Sequence, residues 1–344
     1  MLLQGIFVII SLILCYRIIL VTQISHSNVM KGIFKNMIYR QFPLLLISFL
    51  CLFSLSGCGK TQTEDYIDFN KTQSIVQDDI AVTNGQRPLV IALAAVISPQ
   101  ETIDCYRILA QRISTVTGHP TVLIQRKTYM EVNKLLSNGE ADMAFLSTGS
   151  YVSYHGFYDI DILAMAALDD EIVYRPYIIV NKDSNIYSVE DLVGKTFAFT
   201  DPLSFSGHLI IEDMLHSQGT NPERYFKRYF YTYNHDKSIW AVAHHVADAA
   251  SIDSQIYDYA KSKNPEITNN IRIISVLDAA PTGPVVVRKD LPQEQIEQLR
   301  QIFLEMNQDP DTAQAMKKLM IDRFISPQPE RYIPLKKIYD RTTI

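Results

Sequence analysis

Short apolar runs alternate with helical patterns from Pro88 onward, and this alternation is the strongest structural signal in the chain. Ser98 and Thr128 each stand three residues before a glutamate, the spacing of a helix-opening capping box. The two helices that they open are expected to stop at Gly118 and Gly139. The apolar runs between them predict buried strands at residues 89–94, 121–125 and 142–146. Strands and helices in strict alternation with short connections indicate a parallel sheet.

The second half of the chain repeats this organisation. Two longer strands, residues 161–168 and 172–181, are expected to lead into a second α/β unit. The predicted strands of this unit are residues 196–200, 228–233 and 249–252. Two more strands are predicted after it, at residues 271–276 and 285–288. Two helices, at residues 292–307 and 310–320, are predicted after these strands. We therefore expect a bilobed α/β protein, with residues 88–181 in lobe 1, 182–275 in lobe 2 and 276–344 returning to lobe 1. The crevice between the lobes is the default ligand site, because loops at the carboxyl ends of both sheets face it.

The N-terminal region predicts export. Basic residues precede an apolar run at residues 42–55, and small residues then lead to Cys58, which is the order of a secretory signal peptide. The run of 14 residues is shorter than the roughly 20 needed to cross a bilayer, although an uncleaved membrane helix is the alternative. The ending Leu55-Ser56-Gly57-Cys58 resembles the bacterial lipobox, which implies cleavage before Cys58 and its lipidation.

Two further segments surround this signal. Residues 1–20 form another apolar run, and two export signals in series make little sense. We expect the true start at Met30 or Met37, with a real additional membrane helix as the alternative. Residues 58–87 are polar and predict a tether between a lipid anchor and the folded body.

Composition narrows the function. The 344 residues are 47% hydrophobic and 20% charged, which excludes an intrinsically disordered chain. A net charge of −5 without any basic block argues against a nucleic-acid partner. Cys105 is the only cysteine in the body, and no Cys/His spacing predicts a metal site. No nucleotide-binding loop, H-E-x-x-H or G-x-S-x-G motif is present, so we expect neither cofactor nor catalysis.

The segment Ser204-Phe205-Ser206-Gly207 is the main candidate for binding chemistry. It joins a predicted strand to a helix, where the first amide N–H groups lack internal partners and the helix dipole is positive. The hydroxyls of Ser204 and Ser206 add donors, and Gly207 allows close approach of the backbone. Together they suit a small tetrahedral anion. The alternative is a serine that merely caps its own helix.

Other candidates stand at ends of strands or starts of helices. His235 can donate a hydrogen bond to an anion, with a charge sensitive to pH near 6.5. Asp253 can accept a proton from the ligand, pair with an ammonium group or orient His235; alternatively it caps the next helix. Tyr129 can supply a phenol, and Ser147 with Thr148 a second set of hydroxyls. Each of these residues has a purely structural alternative in a loop, a cap or the core.

The motifs resemble those of the phosphate/phosphite/phosphonate substrate-binding proteins of bacterial ABC transporters. The family's D-P-x-S-T-S-G segment is matched by residues 201–207, its His-Asp pair by His235-Asp236, and its following acidic step by Asp253-Ser254. A D-Y segment is matched at Thr128-Tyr129 and a late V-V-R-K-D-L-P run within residues 281–292. The resemblance implies a type II periplasmic-binding-protein fold, with two mixed-sheet α/β lobes joined by a two-strand hinge.

The chain departs from the family pattern at three places. Phe205 replaces a threonine, and Leu146 stands where some members have a tyrosine. Aminophosphonate binders use a second acid near the late hinge strand, where this chain has Thr282-Gly283, so an ammonium-bearing ligand is disfavoured.

The resemblance implies capture of a small oxyanion, a phosphonate, phosphite or phosphate, for delivery to an ABC transporter permease. We expect a monomer held at the periplasmic or outer face of the membrane through lipidated Cys58. Two alternatives are a ligand-sensing partner of a membrane signalling kinase and a periplasmic phosphoester hydrolase.

Overall fold

The computed structural model of the protein describes residues 87–94 and 99–342. The predicted signal segment, Cys58 and all but the last residue of the predicted tether lie outside the described residues, as does Ser98. No helix within the described ranges combines the length and apolar character that a membrane span requires.

Thirteen strands occur in the described part of the chain. In chain order they are β1 (Leu89–Ala94), β2 (Thr121–Arg126), β3 (Met143–Phe145), β4 (Ile160–Ala167), β5 (Val173–Tyr174), β6 (Pro176–Asn181), β7 (Thr196–Phe199), β8 (Arg228–Tyr231), β9 (Ala249–Asp253), β10 (Ile271–Val276), β11 (Ala280–Pro281), β12 (Pro284–Arg288) and β13 (Arg323–Ile325).

The α-helices lie between and after these strands. They are α1 (Pro99–Thr117), α2 (Tyr129–Ser137), α3 (Thr148–Val152), α4 (Ile210–Ser217), α5 (Pro222–Tyr225), α6 (His235–Ala243), α7 (Ser254–Lys263), α8 (Pro265–Thr268), α9 (Gln293–Leu304), α10 (Pro310–Lys318) and α11 (Ile333–Thr342). A π-helix, Phe205–Leu209, leads directly into α4, and short 3₁₀ turns occur at Glu190–Leu192, Met306–Gln308 and Pro329–Tyr332.

The strands form two mixed sheets, one in each lobe. The first sheet has the order β13-β4-β12-β3-β1-β2, and the second has the order β10-β6-β9-β7-β8. Strands β2, β1 and β3 are parallel, which confirms the sheet expected from the first βαβαβ pattern. Strands β12, β4 and β13 add to it in antiparallel register. The late strands β12 and β13 thus belong to the first sheet.

Two short strands accompany the crossings between the sheets. Strand β5 pairs with β11 in antiparallel register, Ala280 opposite Tyr174 and Pro281 opposite Val173, and forms a two-stranded hinge. Strand β6 follows β5 at once and pairs with β9 and β10 in the second sheet. Residues 176–181, which the sequence assigned to lobe 1, thus pair in lobe 2, because the hinge interrupts what had been expected to be one long strand.

Helix boundaries follow the capping chemistry. The Thr128 hydroxyl accepts the Glu131 amide at 3.2 Å and the Glu131 carboxylate accepts the Thr128 amide at 2.9 Å, so the predicted capping box is present. Helix α6 begins at His235 after its N-cap residue Asn234. Strand β13 and helix α11 were not predicted, because the segments are short or weakly apolar.

Apolar clusters on both faces of each sheet form the core. One apolar cluster contains residues of both lobes. It joins Tyr174, Phe205 and Leu209 to residues of β1, β2 and α2 in the first lobe. The start of the π-helix is therefore packed against the first lobe although its chain belongs to the second. This contact brings residues of both lobes to one cavity.

Candidate functional site

A cavity of about 140 Å³ lies between the lobes. Eight of the nine predicted ligand-binding residues line it: Tyr129, Ser147, Thr148, Ser204, Phe205, Ser206, His235 and Asp253. Gly207 is not among the residues that line this cavity. Residues distant in sequence are thus brought together at one cavity between the lobes.

Ser204 caps the helix that follows it. Its hydroxyl oxygen accepts the Gly207 amide at 3.0 Å, so one of the amides expected to face an anion is already used. The alternative interpretation, in which Ser204 caps its own helix, is therefore correct for its hydroxyl oxygen. Its hydroxyl proton is still available, because a hydroxyl donates one bond while its oxygen accepts others.

Gly207 is required by close packing. A Cβ atom added at this residue would lie 2.5 Å from Cβ and from Oγ1 of Thr200. The glycine therefore lets the helix start pack on the end of β7. Its expected role in close approach to a ligand stays a prediction. At Gly149, an added Cβ would lie 2.0 Å from the Leu203 carbonyl oxygen, so α3 and the loop before the π-helix meet through a glycine as well.

Phe205 lines the cavity and also packs in an apolar cluster. The residue is 3% exposed and its ring belongs to the first-lobe cluster that also contains Leu209 and Val152. The substitution of the family's threonine thus removes a hydroxyl and adds an apolar contact between the lobes.

Tyr174 is a cavity residue that the sequence analysis missed. It is 6% exposed, lines the cavity from hinge strand β5 and neighbours the hydroxyls of Thr148 and Ser206 and the Ser206 amide. Burial and then the charge of Asp253 raise the pKa of its phenol, so the phenol keeps its proton. A two-residue strand among 19 tyrosines gives no sequence signal that would single it out.

His235 is held as a neutral ring with a defined tautomer. Burial lowers its pKa to about 3, so the expected sensitivity near pH 6.5 is wrong. The Asp253 amide donates to its Nδ1 at 3.2 Å, and the Thr200 hydroxyl lies 3.2 Å from the same atom. Because Nδ1 accepts from the amide, the neutral ring carries its proton on Nε2. His235 can thus offer one N–H donor to the cavity.

Asp253 stands at the end of β9 and caps α7. Its carboxylate accepts the Gln255 amide at 2.7 Å, as the capping alternative predicted. Burial nevertheless raises its pKa to about 7, so a substantial fraction is protonated at neutral pH. The backbone amide of Asp253, and not its carboxylate, is what orients His235.

Tyr129 connects the lobes through Asp201, which was not predicted as a site residue. Its amide donates to the Asp201 carboxylate at 3.2 Å, while the Leu203 amide donates to the other oxygen at 2.8 Å. Burial raises the pKa of Asp201 to about 6, against the lowering by these two amides. The pKa of the Tyr129 phenol is well above its ordinary value, first because of burial and then because of Asp201. The phenol is therefore a donor.

Ser147 and Thr148 begin α3. The Ser147 hydroxyl oxygen accepts the Ser150 amide at 3.1 Å and so caps the helix. The Thr148 hydroxyl donates to the Pro281 carbonyl at 2.7 Å, which ties α3 to hinge strand β11. Both residues line the cavity, and Thr148 can still accept a hydrogen bond from a protonated ligand oxygen.

The cavity offers uncharged donors. Among its lining residues within the described ranges there is no lysine or arginine, and Asp253 is the one carboxylic acid. The described residues also hold no group of three or more His, Cys, Asp or Glu side chains arranged to bind a metal. An anion here would be held by hydroxyls, phenols, amides and one imidazole N–H.

Comparisons with known proteins agree with this architecture. The family model described as "ABC transporter, phosphonate, periplasmic substrate-binding protein" matches residues 91–332. The phosphonates-binding periplasmic protein of Escherichia coli (strain K12) is 27% identical over 178 residues, which are 50% of this chain and 52% of the relative. The chain thus matches about half the length of that curated relative.

Solved structures match over more of the chain. A binding protein component of an ABC phosphonate transporter from Pseudomonas aeruginosa has a TM-score of 0.68 at 21% identity, covering 75% of this chain and 87% of that one. PhnD1 from Prochlorococcus marinus, solved in complex with methylphosphonate, has a TM-score of 0.68 at 18% identity, covering 75% and 99%. The fold is that of a type II periplasmic binding protein. Because the family match extends over most of the sequence, this chain belongs to the periplasmic substrate-binding protein family of phosphonate ABC transporters.

Proposed function

We propose that the protein captures a small phosphorus oxyanion in the cavity between its lobes and delivers it to an ABC transporter permease. The observation that carries the proposal is the convergence of buried, uncharged donors from both lobes on one cavity. Family membership and the methylphosphonate bound to PhnD1 make a phosphonate the first candidate among phosphonate, phosphite and phosphate.

Each lobe supplies a part of the proposed site. Ser204, Ser206 and the Nε2–H of His235 bind the anion from the second lobe. Tyr129 and the start of α3 bind it from the first, and Tyr174 binds it at the hinge. A ligand that contacts both lobes stabilises the closed form over the open one, because only the closed form makes all of the contacts. The closed form then docks on the permease, and no covalent bond is made or broken on this chain.

A thermal-shift titration of the full chain with methylphosphonate tests the proposal. At a hundredfold excess over the dissociation constant, a ligand that binds only the folded state stabilises it by about 2.7 kcal/mol. We expect Ser206→Ala to lose most of this stabilisation. Ser217→Ala is the matched control, because the Ser217 hydroxyl donates to the Met214 carbonyl on the exposed side of α4. If phosphonate, phosphite and phosphate all leave the melting temperature unchanged, the proposal is wrong.

We propose further that lipidated Cys58 holds the mature protein at the membrane after export. Cells fed a labelled fatty acid should incorporate the label into the wild-type protein and into Cys51→Ser, but not into Cys58→Ser. Labelling of Cys58→Ser at the wild-type level would contradict this assignment.

A further inference from the structure

The C-terminal helix α11 is attached to the first lobe at its start. Just before the helix, the Tyr332 phenol donates to the Thr282 carbonyl at 2.6 Å, next to hinge strand β11 in the sequence. Tyr332 and Leu335 are buried in the apolar cluster that contains residues of β1, β2 and α2. The rings of Tyr332 and Tyr151 meet edge to face with centroids 4.8 Å apart, so this end of the helix also contacts α3. These buried contacts fix the first turn of α11 on the first lobe.

The other end of α11 contacts the second lobe. The helix packs against α4, which continues the π-helix that contains Ser206. In the last turn of α11, Arg341 donates from Nε and Nη2 to Oδ1 of Asp213 on α4 at 3.1 and 2.8 Å, and from Nη2 to Oδ2 at 3.1 Å. Ile338 of α11 and Ile210 at the start of α4 pack against the same apolar cluster. A bidentate ion pair and a shared apolar cluster thus attach this end of α11 to α4.

Helix α11 therefore links two segments that supply cavity residues from different lobes. Helix α3 begins with Thr148, the π-helix contains Ser206, and both residues line the cavity. In the closed form seen here, α3 and the π-helix contact each other, and α11 packs against both of them and against α4. A rotation that separates the π-helix from α3 must break part of what α11 contacts. The contacts of α11 thus stabilise the closed form relative to the open one.

The ion pair at the end of α11 acts at a distance from the ligand. Neither Arg341 nor Asp213 lines the cavity, so neither would touch a ligand bound there. The Arg341 side chain is 53% exposed and the Asp213 side chain 18% exposed, so removal of the pair leaves the apolar core intact. Exposed ion pairs shift an equilibrium only a few-fold, and the bidentate geometry places this pair at about threefold to fivefold.

We propose that α11 is a strap that favours the closed form, and that Arg341 is a positioning residue for ligand binding that acts through Asp213. A ligand that binds the closed form has an apparent dissociation constant equal to the intrinsic constant divided by the fraction of closed molecules. Loss of the ion pair lowers that fraction without changing any group at the cavity. The part of the inference that concerns binding rests on the proposed function, whereas the strap is also tested without ligand.

Hydrogen exchange of one backbone amide measures closure of the full chain without ligand. The Tyr129 amide is the first of α2, where it has no acceptor within the helix, and it donates across the lobes to Asp201 at 3.2 Å. Its protection therefore reports whether the lobes are in contact. We expect Arg341→Gln to speed the exchange of this amide, followed by NMR in the ligand-free protein.

Calorimetric titration with methylphosphonate measures the second consequence. The increase in the exchange rate at Tyr129 and the increase in the dissociation constant multiply to the factor by which the ion pair favours closure, whatever fraction of the wild type is closed. We expect this product to be about threefold to fivefold for Arg341→Gln. A protein that is mostly closed shows the factor in exchange, and one that is mostly open shows it in affinity.

Two further variants separate a strap from a general loss of stability. Arg112→Gln is the matched control, because Arg112 pairs with Asp309 at 3.7 Å within the first lobe, and it should change neither quantity. Arg341→Asp should exceed the effect of Arg341→Gln, and the additional change Asp213→Arg should restore most of the wild-type behaviour.

The outcomes distinguish this inference from the proposed function. If methylphosphonate binds and Arg341→Gln leaves both quantities unchanged, or if Arg112→Gln changes them equally, the strap is wrong although the proposed function stands. Failure of the reversed pair to restore the wild-type values would also overturn the role of Arg341. If methylphosphonate, phosphite and phosphate do not bind the wild type, the proposed function is wrong, and exchange at Tyr129 alone decides whether α11 is a strap.

Discussion

The titration of Asp253 should make ligand binding depend on pH. Its pKa of about 7 places the loss of its proton inside the range in which a binding assay is practical. Asp201, which has a pKa of about 6, also loses its proton in this range, but it is unchanged in a variant of Asp253. The other titratable groups that line the cavity do not change charge there. His235 stays neutral because its pKa is about 3, and burial keeps the phenols of Tyr129 and Tyr174 protonated. An ionised Asp253 would put a negative charge in a cavity that must accept an anion.

The size of the effect follows from that pKa. If the anion binds only when Asp253 is protonated, the apparent dissociation constant rises by the factor 1 + 10^(pH − pKa). Between pH 5.5 and pH 8.5, a pKa of about 7 gives a loss of about thirtyfold. Asp253→Asn removes this dependence and keeps an oxygen to cap α7, since asparagine is an equally good N-cap residue.

Calorimetric titration with methylphosphonate at several pH values compares the two proteins. The ionisation of the ligand itself affects both proteins equally, so the ratio of their dissociation constants isolates Asp253. The same variant tests stability without ligand. The folded pKa of about 7 lies above the ordinary value near 3.9, so the contribution of Asp253 to stability is greatest below about pH 4 and falls as the pH rises to about 7. Urea unfolding of Asp253→Asn should lack that loss. Dissociation constants that stay in a fixed ratio from pH 5.5 to 8.5 would refute the reasoning.

Three further substitutions test the contacts between the lobes and the donor set. Asp201→Asn leaves one acceptor oxygen where the amides of Tyr129 and Leu203 both donate, so urea unfolding should show a loss of about 1.5–3 kcal/mol; an unchanged midpoint would contradict the buried link. Gly149→Ala places a Cβ 2.0 Å from the Leu203 carbonyl oxygen, so thermal unfolding should occur earlier and the shift induced by methylphosphonate should vanish; wild-type affinity would show that this contact can relax. His235→Ala should weaken methylphosphonate binding about tenfold to hundredfold in calorimetry, because it removes one donor to a charged group, and an unaltered affinity would remove Nε2 from the site.

Local sequence patterns predicted much of the secondary structure and eight of the residues that line the cavity between the lobes. The parallel arrangement of β2, β1 and β3 followed from two capping boxes and three apolar runs. The fold class and the family followed from motifs at Ser204–Gly207, His235 and Asp253, and the family match confirms them. These features depend on residues that are close together in the sequence, so they can be predicted from the sequence alone.

The chemistry of the site was harder to predict, because each side chain has more than one partner. Ser204 caps its own helix and also lines the cavity, and Asp253 caps α7 while its amide fixes His235. The sequence placed the pKa of His235 near 6.5, whereas burial lowers it to about 3. The burial of the His235 ring depends on tertiary packing, and the residues next to His235 in the sequence do not indicate it.

The sequence by itself thus determined which residues begin helices, which runs form strands and that polar groups gather where strands end. Tertiary structure alone decided that Tyr174 enters the cavity from the hinge and that Asp201 accepts an amide 72 positions away. Capping and periodicity act within a few residues, whereas burial and contact between the lobes depend on segments that only the folded chain brings together.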